Sequence, residues 1–85
     1  MTTKAYTIPE LWECLESRDT IGCNIFPYGY YDGETSEDPI QTIDGLDNII
    51  NWIIDNPSYP EWGEDIGYLI VTMNSNGEYA GDVVF

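Results

Sequence analysis

From Asp19 to Phe85 the chain carries thirteen carboxylates and not one basic side chain. Lys4 and Arg18 are its only cations against sixteen Asp and Glu, there is no His, and the net charge is −14 over 85 residues. This imbalance limits what the chain can fold into before any pattern is considered. Ion pairs cannot neutralise the carboxylates, and an unpaired buried carboxylate is very costly. Nearly all of them must therefore stay in water, and the apolar residues must fall onto faces that exclude them. A net charge of magnitude about 2 to 8 is enough to keep a small domain soluble. The excess opposes the compact state through self-repulsion and calls for another reason.

The chain nevertheless has the material for a core. Its hydrophobic fraction is 42%, with three Trp, seven Tyr and two Phe, which is too apolar and aromatic for an acidic disordered tail. One domain spanning residues 1–85 is expected, burying somewhat over about 60% of its unfolded surface. No apolar run approaches the roughly 18 residues of a membrane span, and the start, MTTKAYTIPELW, lacks a basic-then-apolar signal. These features predict a cytoplasmic protein with reduced thiols. Cys14 sits among apolar helix residues and reads as packing; a bond to Cys23 is the alternative.

Periodicity places the elements. After a short lead over residues 1–6, Thr7-Ile8-Pro9-Glu10 has the form of a helix start, with Thr7 as cap, Pro9 in the first turn and Glu10 closing a capping box. Ile8, Leu11, Trp12 and Leu15 follow on one face, predicting a helix that ends near Arg18. Residues 20–28, TIGCNIFPY, are rich in strand formers, and Pro27 argues for a sheet edge or a strand end there. Residues 29–41 read as a turn or loop, or as a short hairpin at Tyr30 and Tyr31. Residues 42–55 predict a second helix, with Leu46, Ile49, Ile50 and Ile53 on its apolar face and Asn56-Pro57 stopping it. Residues 56–65 form a loop with two prolines. Residues 66–73 are the strongest strand, and Asn74 to Gly77 is a turn that returns residues 78–85 as its partner. The expected fold is α+β, two helices packed on a small antiparallel sheet in the order α-β-α-β-β.

Some acids have local explanations. Glu10 belongs to the capping box, and Asp44 and Asp47 fall in the first turn of the expected second helix, where the dipole favours anions by about 0.3–1 kcal/mol. Others oppose local rules. Glu16 and Asp55 lie near the negative ends of the two helices, and Glu13 and Glu16 are like-charged neighbours at i, i+3. Asp32, Glu34, Glu37 and Asp38 crowd into seven residues, and Glu61, Glu64 and Asp65 into five. Choices that cost stability without local compensation are where function is expected.

Most chemistries are disfavoured. Without His, Ser–His and Cys–His nucleophile pairs are excluded, and so small a scaffold leaves little room for a two-carboxylate sugar cleft; no enzyme is expected. Two Cys and no His argue against zinc. Residues 72–83 place Asn74, Asn76 and Gly77 at EF-hand-like offsets but have Thr72 and Val83 where acids belong, so a hairpin turn is the better reading. The Asp32-Gly33-Glu34 to Glu37-Asp38 cluster could hold a hard cation weakly, but no metal or other cofactor is expected. The charge disfavours direct contact with nucleic acid or an anionic membrane.

What remains is a basic protein partner. B-DNA carries one negative charge per about 1.7 Å of axis, and its binding proteins line up Lys and Arg to meet it. Helix carboxylates at i, i+3 or i+4 lie about 5–6 Å apart, so a folded acidic surface can present a phosphate-like row. The expected contact residues are Asp32, Glu34, Glu37, Asp38, Glu61, Glu64 and Asp65 of the two loops, supported by Asp44 and Asp47. Tyr30, Tyr31 and Trp62, which flank those loops, are either core or amphipathic anchors of the interface.

In size, charge and lack of catalytic residues the chain resembles the acidic DNA-mimic inhibitors of phages and mobile elements, of anti-CRISPR and anti-restriction type. The likeness lies in bulk character and not in a motif. It implies occupation of the DNA- or RNA-binding surface of a host-defence nuclease, by a monomer or homodimer. The chain is similar in the same way to the immunity proteins that cap one cognate nuclease toxin. An acidic interaction domain without inhibitory role, or simply a soluble acidic surface suited to high salt, is the blander expectation.

Overall fold

A computed structural model of the chain describes residues 2–29, 38–57 and 66–85. Its elements run β1 (Thr2–Lys4), α1 (Ile8–Ser17), β2 (Thr20–Gly29), β3 (Gln41–Asp44), α2 (Leu46–Asp55), β4 (Ile66–Asn74) and β5 (Tyr79–Val84). The five strands form one sheet in the order β1-β5-β4-β2-β3. All neighbours are antiparallel except β1, which runs parallel to β5.

This corrects the expected α-β-α-β-β order and the purely antiparallel sheet in two places. β1 lies in the segment expected to be a lead. Three residues are too few to show alternation, and the strand exists because Thr2, Thr3 and Lys4 find partners in Asp82, Val83 and Val84. β3 occupies residues expected to open the second helix. Gly45, with φ of 95°, divides the two elements, because a left-handed residue cannot continue a helix. Before it, β-branched Thr42 and Ile43 pair with Asn24 and Cys23, as suits a pleated surface.

α1 starts as its sequence dictates. The Glu10 backbone N–H donates to Thr7 Oγ1 at 3.3 Å, and the Glu10 carboxylate accepts from the Thr7 hydroxyl and the Tyr6 backbone N–H. Leu11 and Leu15 from α1 and Ile49, Ile50 and Ile53 from α2 join Cys23, Ile25, Ile43, Tyr68, Ile70 and Val83 in one core. The strand members of that core share one face of the pleat, since Ile25 stands opposite Ile70 and Ile70 opposite Val83. Full burial of each such aliphatic side chain stabilises by about 1.5–3 kcal/mol. Tyr68 is 1% exposed and keeps its phenol paired, donating to the Asn56 carbonyl at 2.8 Å, while its ring meets Trp52 edge-on at 5.2 Å.

Pro27 is tolerated because of the register. Among the described residues β3 pairs with β2 only as far as Ile25. Tyr68, opposite Pro27, exchanges both backbone hydrogen bonds with Phe85 on the other side. The proline nitrogen therefore faces the side on which no described strand pairs with β2, where its missing N–H costs the ladder nothing. The β4–β5 turn closes as expected: the Gly77 N–H donates to the Asn74 carbonyl with Gly77 at φ of 76°, and Asn74 Oδ1 accepts from the Asn76 and Glu78 N–H groups.

Candidate partner-binding surface

Of the twelve residues expected to meet a partner, the structure places three. Tyr30, Tyr31, Asp32, Glu34, Glu37, Glu61, Trp62, Glu64 and Asp65 lie outside the described residues. Asp38 is exposed ahead of β3. Asp44 is exposed at the end of β3, not in a helical turn as expected, because Gly45 delays the helix by a residue beyond it. Asp47 does lie in the first turn of α2 and is exposed. Asp44 and Asp47 thus stand on either side of the Gly45 cap, and Asn48 Nδ2 ties the two elements by donating to the Asp44 carbonyl at 2.9 Å. Asp38 precedes the other end of the strand.

A second acidic surface was not among the expected contact residues. Glu10, Glu13 and Glu16 are all exposed on α1. At three-residue spacing they form a diagonal row, with Cβ atoms about 5–6 Å apart, opposite the side that buries Leu11 and Leu15. In the sequence Glu10 reads as a capping-box member and Glu13 with Glu16 as a like-charged pair, so the row of three is not apparent there. Glu16 also accepts from Trp12 Nε1 at 2.5 Å, which orients both side chains. On α2, Asp47 and Asp55 are exposed with exposed Asn51 midway between them, about 12 Å apart along the axis at 1.5 Å per residue. Neither helix has a basic residue in its last turn.

The two cations are engaged elsewhere. The Arg18 guanidinium donates to the Asp82 carbonyl at 3.2 Å and to Thr3 Oγ1 at 2.7 Å, joining the end of α1 to β5 and β1. Both acceptors are neutral, so its role is structural. The Lys4 ammonium lies 5.2 Å from the centre of the Tyr6 ring, a cation–π distance.

The sheet face away from the core carries Asn24, Phe26, Thr42, Asp44, Val71, Met73 and Asp82 by register. Here the Tyr79 phenol donates to Asp82 Oδ1 at 2.7 Å. That bond to a carboxylate raises the Tyr79 pKa, and the Asp82 charge adds to the rise. On the other face Cys23 is 5% exposed, and burial, followed by the charge of Asp44, pushes its thiol up to about 12. Cys14 and Cys23 are free thiols, and among the described residues no group of three or more carboxylate or thiol side chains is placed to hold a metal ion. No helix among them is long and apolar enough to cross a membrane. No family model, curated protein or solved structure matches the chain.

Proposed function

We propose that this protein inhibits a nucleic-acid-binding protein by occupying its basic groove, the partner being a host-defence nuclease or a similar effector. One observation carries the reading. The exposed surfaces of both helices and the end of β3 present Glu10, Glu13, Glu16, Asp44, Asp47 and Asp55, while the Arg18 guanidinium is turned to a carbonyl and a hydroxyl. The carboxylates are left for an external cation. A groove built for phosphates supplies such cations in rows, and the interaction would release the counterions condensed on both surfaces. Encounter would be fast at low salt and slowed by screening. No step of the proposal makes or breaks a covalent bond.

The second reading, an immunity protein for one cognate nuclease toxin, draws on the apolar side chains exposed on the core-free sheet face, Met73 and Tyr79. A dedicated interface relies on a few such anchors, whereas charge mimicry distributes its affinity.

Both readings meet one experiment. The immobilised protein is exposed to bacterial lysate at low salt and eluted first with duplex DNA, then with concentrated salt. Nucleic-acid-binding proteins released by DNA support mimicry. A partner indifferent to DNA and salt but lost on Tyr79→Ala supports the cognate interface, and retention of nothing basic contradicts both.

A further inference from the structure

We propose that a recess on the core-free face of the sheet receives an arginine side chain from the basic partner, its guanidinium on Asp44 and its methylenes along Val71 and Met73. The inference rests on the preceding reading only in taking the partner to be basic.

The recess follows from the register. Gly22 of β2 lies between Asp44 of β3 and Met73 of β4. With no side chain at the middle position, a hollow opens between the two flanking ones. A Cβ added at Gly22 would stand 3.0 Å from Asp44 Oδ1 and 3.3 Å from the Ile43 carbonyl, so the carboxylate leans over a floor that only glycine leaves clear. The next row, Thr42, Asn24 and Val71, closes one end, with the Thr42 hydroxyl donating to Asn24 Oδ1 at 2.6 Å. Tyr79, paired with Met73, closes the other side, and its phenol is held by Asp82. The recess measures about 150 Å³, room for one side chain.

Its chemistry selects the occupant. The walls Val71, Met73 and the Tyr79 ring are apolar, and the rim carries the Asp44 carboxylate, to which no described residue donates a hydrogen bond. Met73 is 44% and Tyr79 58% exposed. A purely apolar side chain would leave the carboxylate desolvated and unpaired. A second copy of this chain would set its own Asp44 and Asp82 against these, and would add −14 to −14. Glu78 in the adjoining β4–β5 turn, and Asp19 ahead of β2, whose carboxylate accepts from the Ser75 hydroxyl of that turn, keep this end of the sheet negative. An arginine meets every requirement: an apolar stem that lies along the walls, a planar fork that matches a carboxylate with two hydrogen bonds, and a weakly hydrated cation that stacks on an aromatic ring.

The test is an NMR titration of the isotopically labelled protein with an acetylated, amidated Gly-Arg-Gly tripeptide, and with the same tripeptide carrying norleucine in place of arginine. Saturable shifts confined to Gly22, Thr42, Val71 and Met73 are expected with arginine and not with norleucine. Asp44→Asn, an exposed and nearly isosteric change, should weaken binding about fivefold, the upper range for an exposed ion pair, while Asn51→Ala, on the exposed side of α2, leaves it unchanged. Shifts spread evenly over the carboxylates of α1 and α2, equal binding by Asp44→Asn, or no saturation would overturn the proposal. Its fate is separable from that of mimicry. If Asp44→Asn abolishes nothing while DNA still elutes the partner, the recess assignment fails alone. If the tripeptide docks as expected but no nucleic-acid-binding protein is retained, the recess stands and the groove-blocking function fails.

Discussion

Cys23 is the clearest case of one residue whose surroundings set its chemistry. Burial and the nearby Asp44 charge raise its thiol from 9.0 to about 12. In the unfolded chain the thiol titrates near 9.0, so the folded state holds its proton more tightly. The stability this provides is complete below 9.0 and is lost as pH rises from there toward about 12, at up to about 1.4 kcal/mol per pH unit. Urea titrations of wild type and Cys23→Ala across that range should diverge, with the wild type falling faster; parallel curves would show that the thiol is not protected. Thr20 offers a second residue-level test. It is 6% exposed, and its hydroxyl has no hydrogen-bond partner among the described residues. A buried unsatisfied hydroxyl costs about 1–3 kcal/mol, so Thr20→Val should raise the denaturation midpoint, and a fall would mean that the hydroxyl is satisfied.

At the scale of elements, what could be read from the sequence was whatever had a period or a cap. α1 carries both, in Thr7, Glu10 and the Leu11–Leu15 face. β2, β4 and the Asn74–Gly77 turn have strand-forming runs and turn chemistry of their own. β1 and β3 have neither. Each is a short edge strand, β1 with its partner at the other end of the chain, and β3 runs directly into the apolar face of α2, so residues 42–45 read as helical. The positive φ of Gly45 was the missing information, and the sequence shows a glycine without its conformation. Gly45→Ala should therefore destabilise by about 1–2 kcal/mol, with Asn48 Nδ2 only 3.2 Å from the new Cβ. The same limit applies to the surface. The acidic loops were prominent because their charges are adjacent in sequence, whereas the α1 row appears only when residues three apart are set side by side. Asp55 at the end of α2 opposes the helix dipole, so Asp55→Lys should stabilise by about 0.3–1 kcal/mol in thermal unfolding while weakening partner capture. A variant that is stabilised and binds undiminished would remove Asp55 from the interface.

The molecule joins a small core to a chain with sixteen carboxylates and two cations. Its carboxylates repel one another at every separation shorter than the screening length, about 10 Å at 0.1 M salt. Stability should thus rise with sodium chloride while partner affinity falls, an opposition that a merely soluble acidic domain has no reason to show. A melting temperature that is flat or falling with salt would mean that the charges are already neutralised. The central claim is that the acidic surface and nucleic acid compete for one groove. The most direct measurement titrates this protein against its captured partner at fixed salt, over a series of duplex DNA concentrations. The apparent Kd should rise linearly with free DNA, with no species containing all three components. An apparent Kd independent of DNA, or a stable ternary complex, would contradict it.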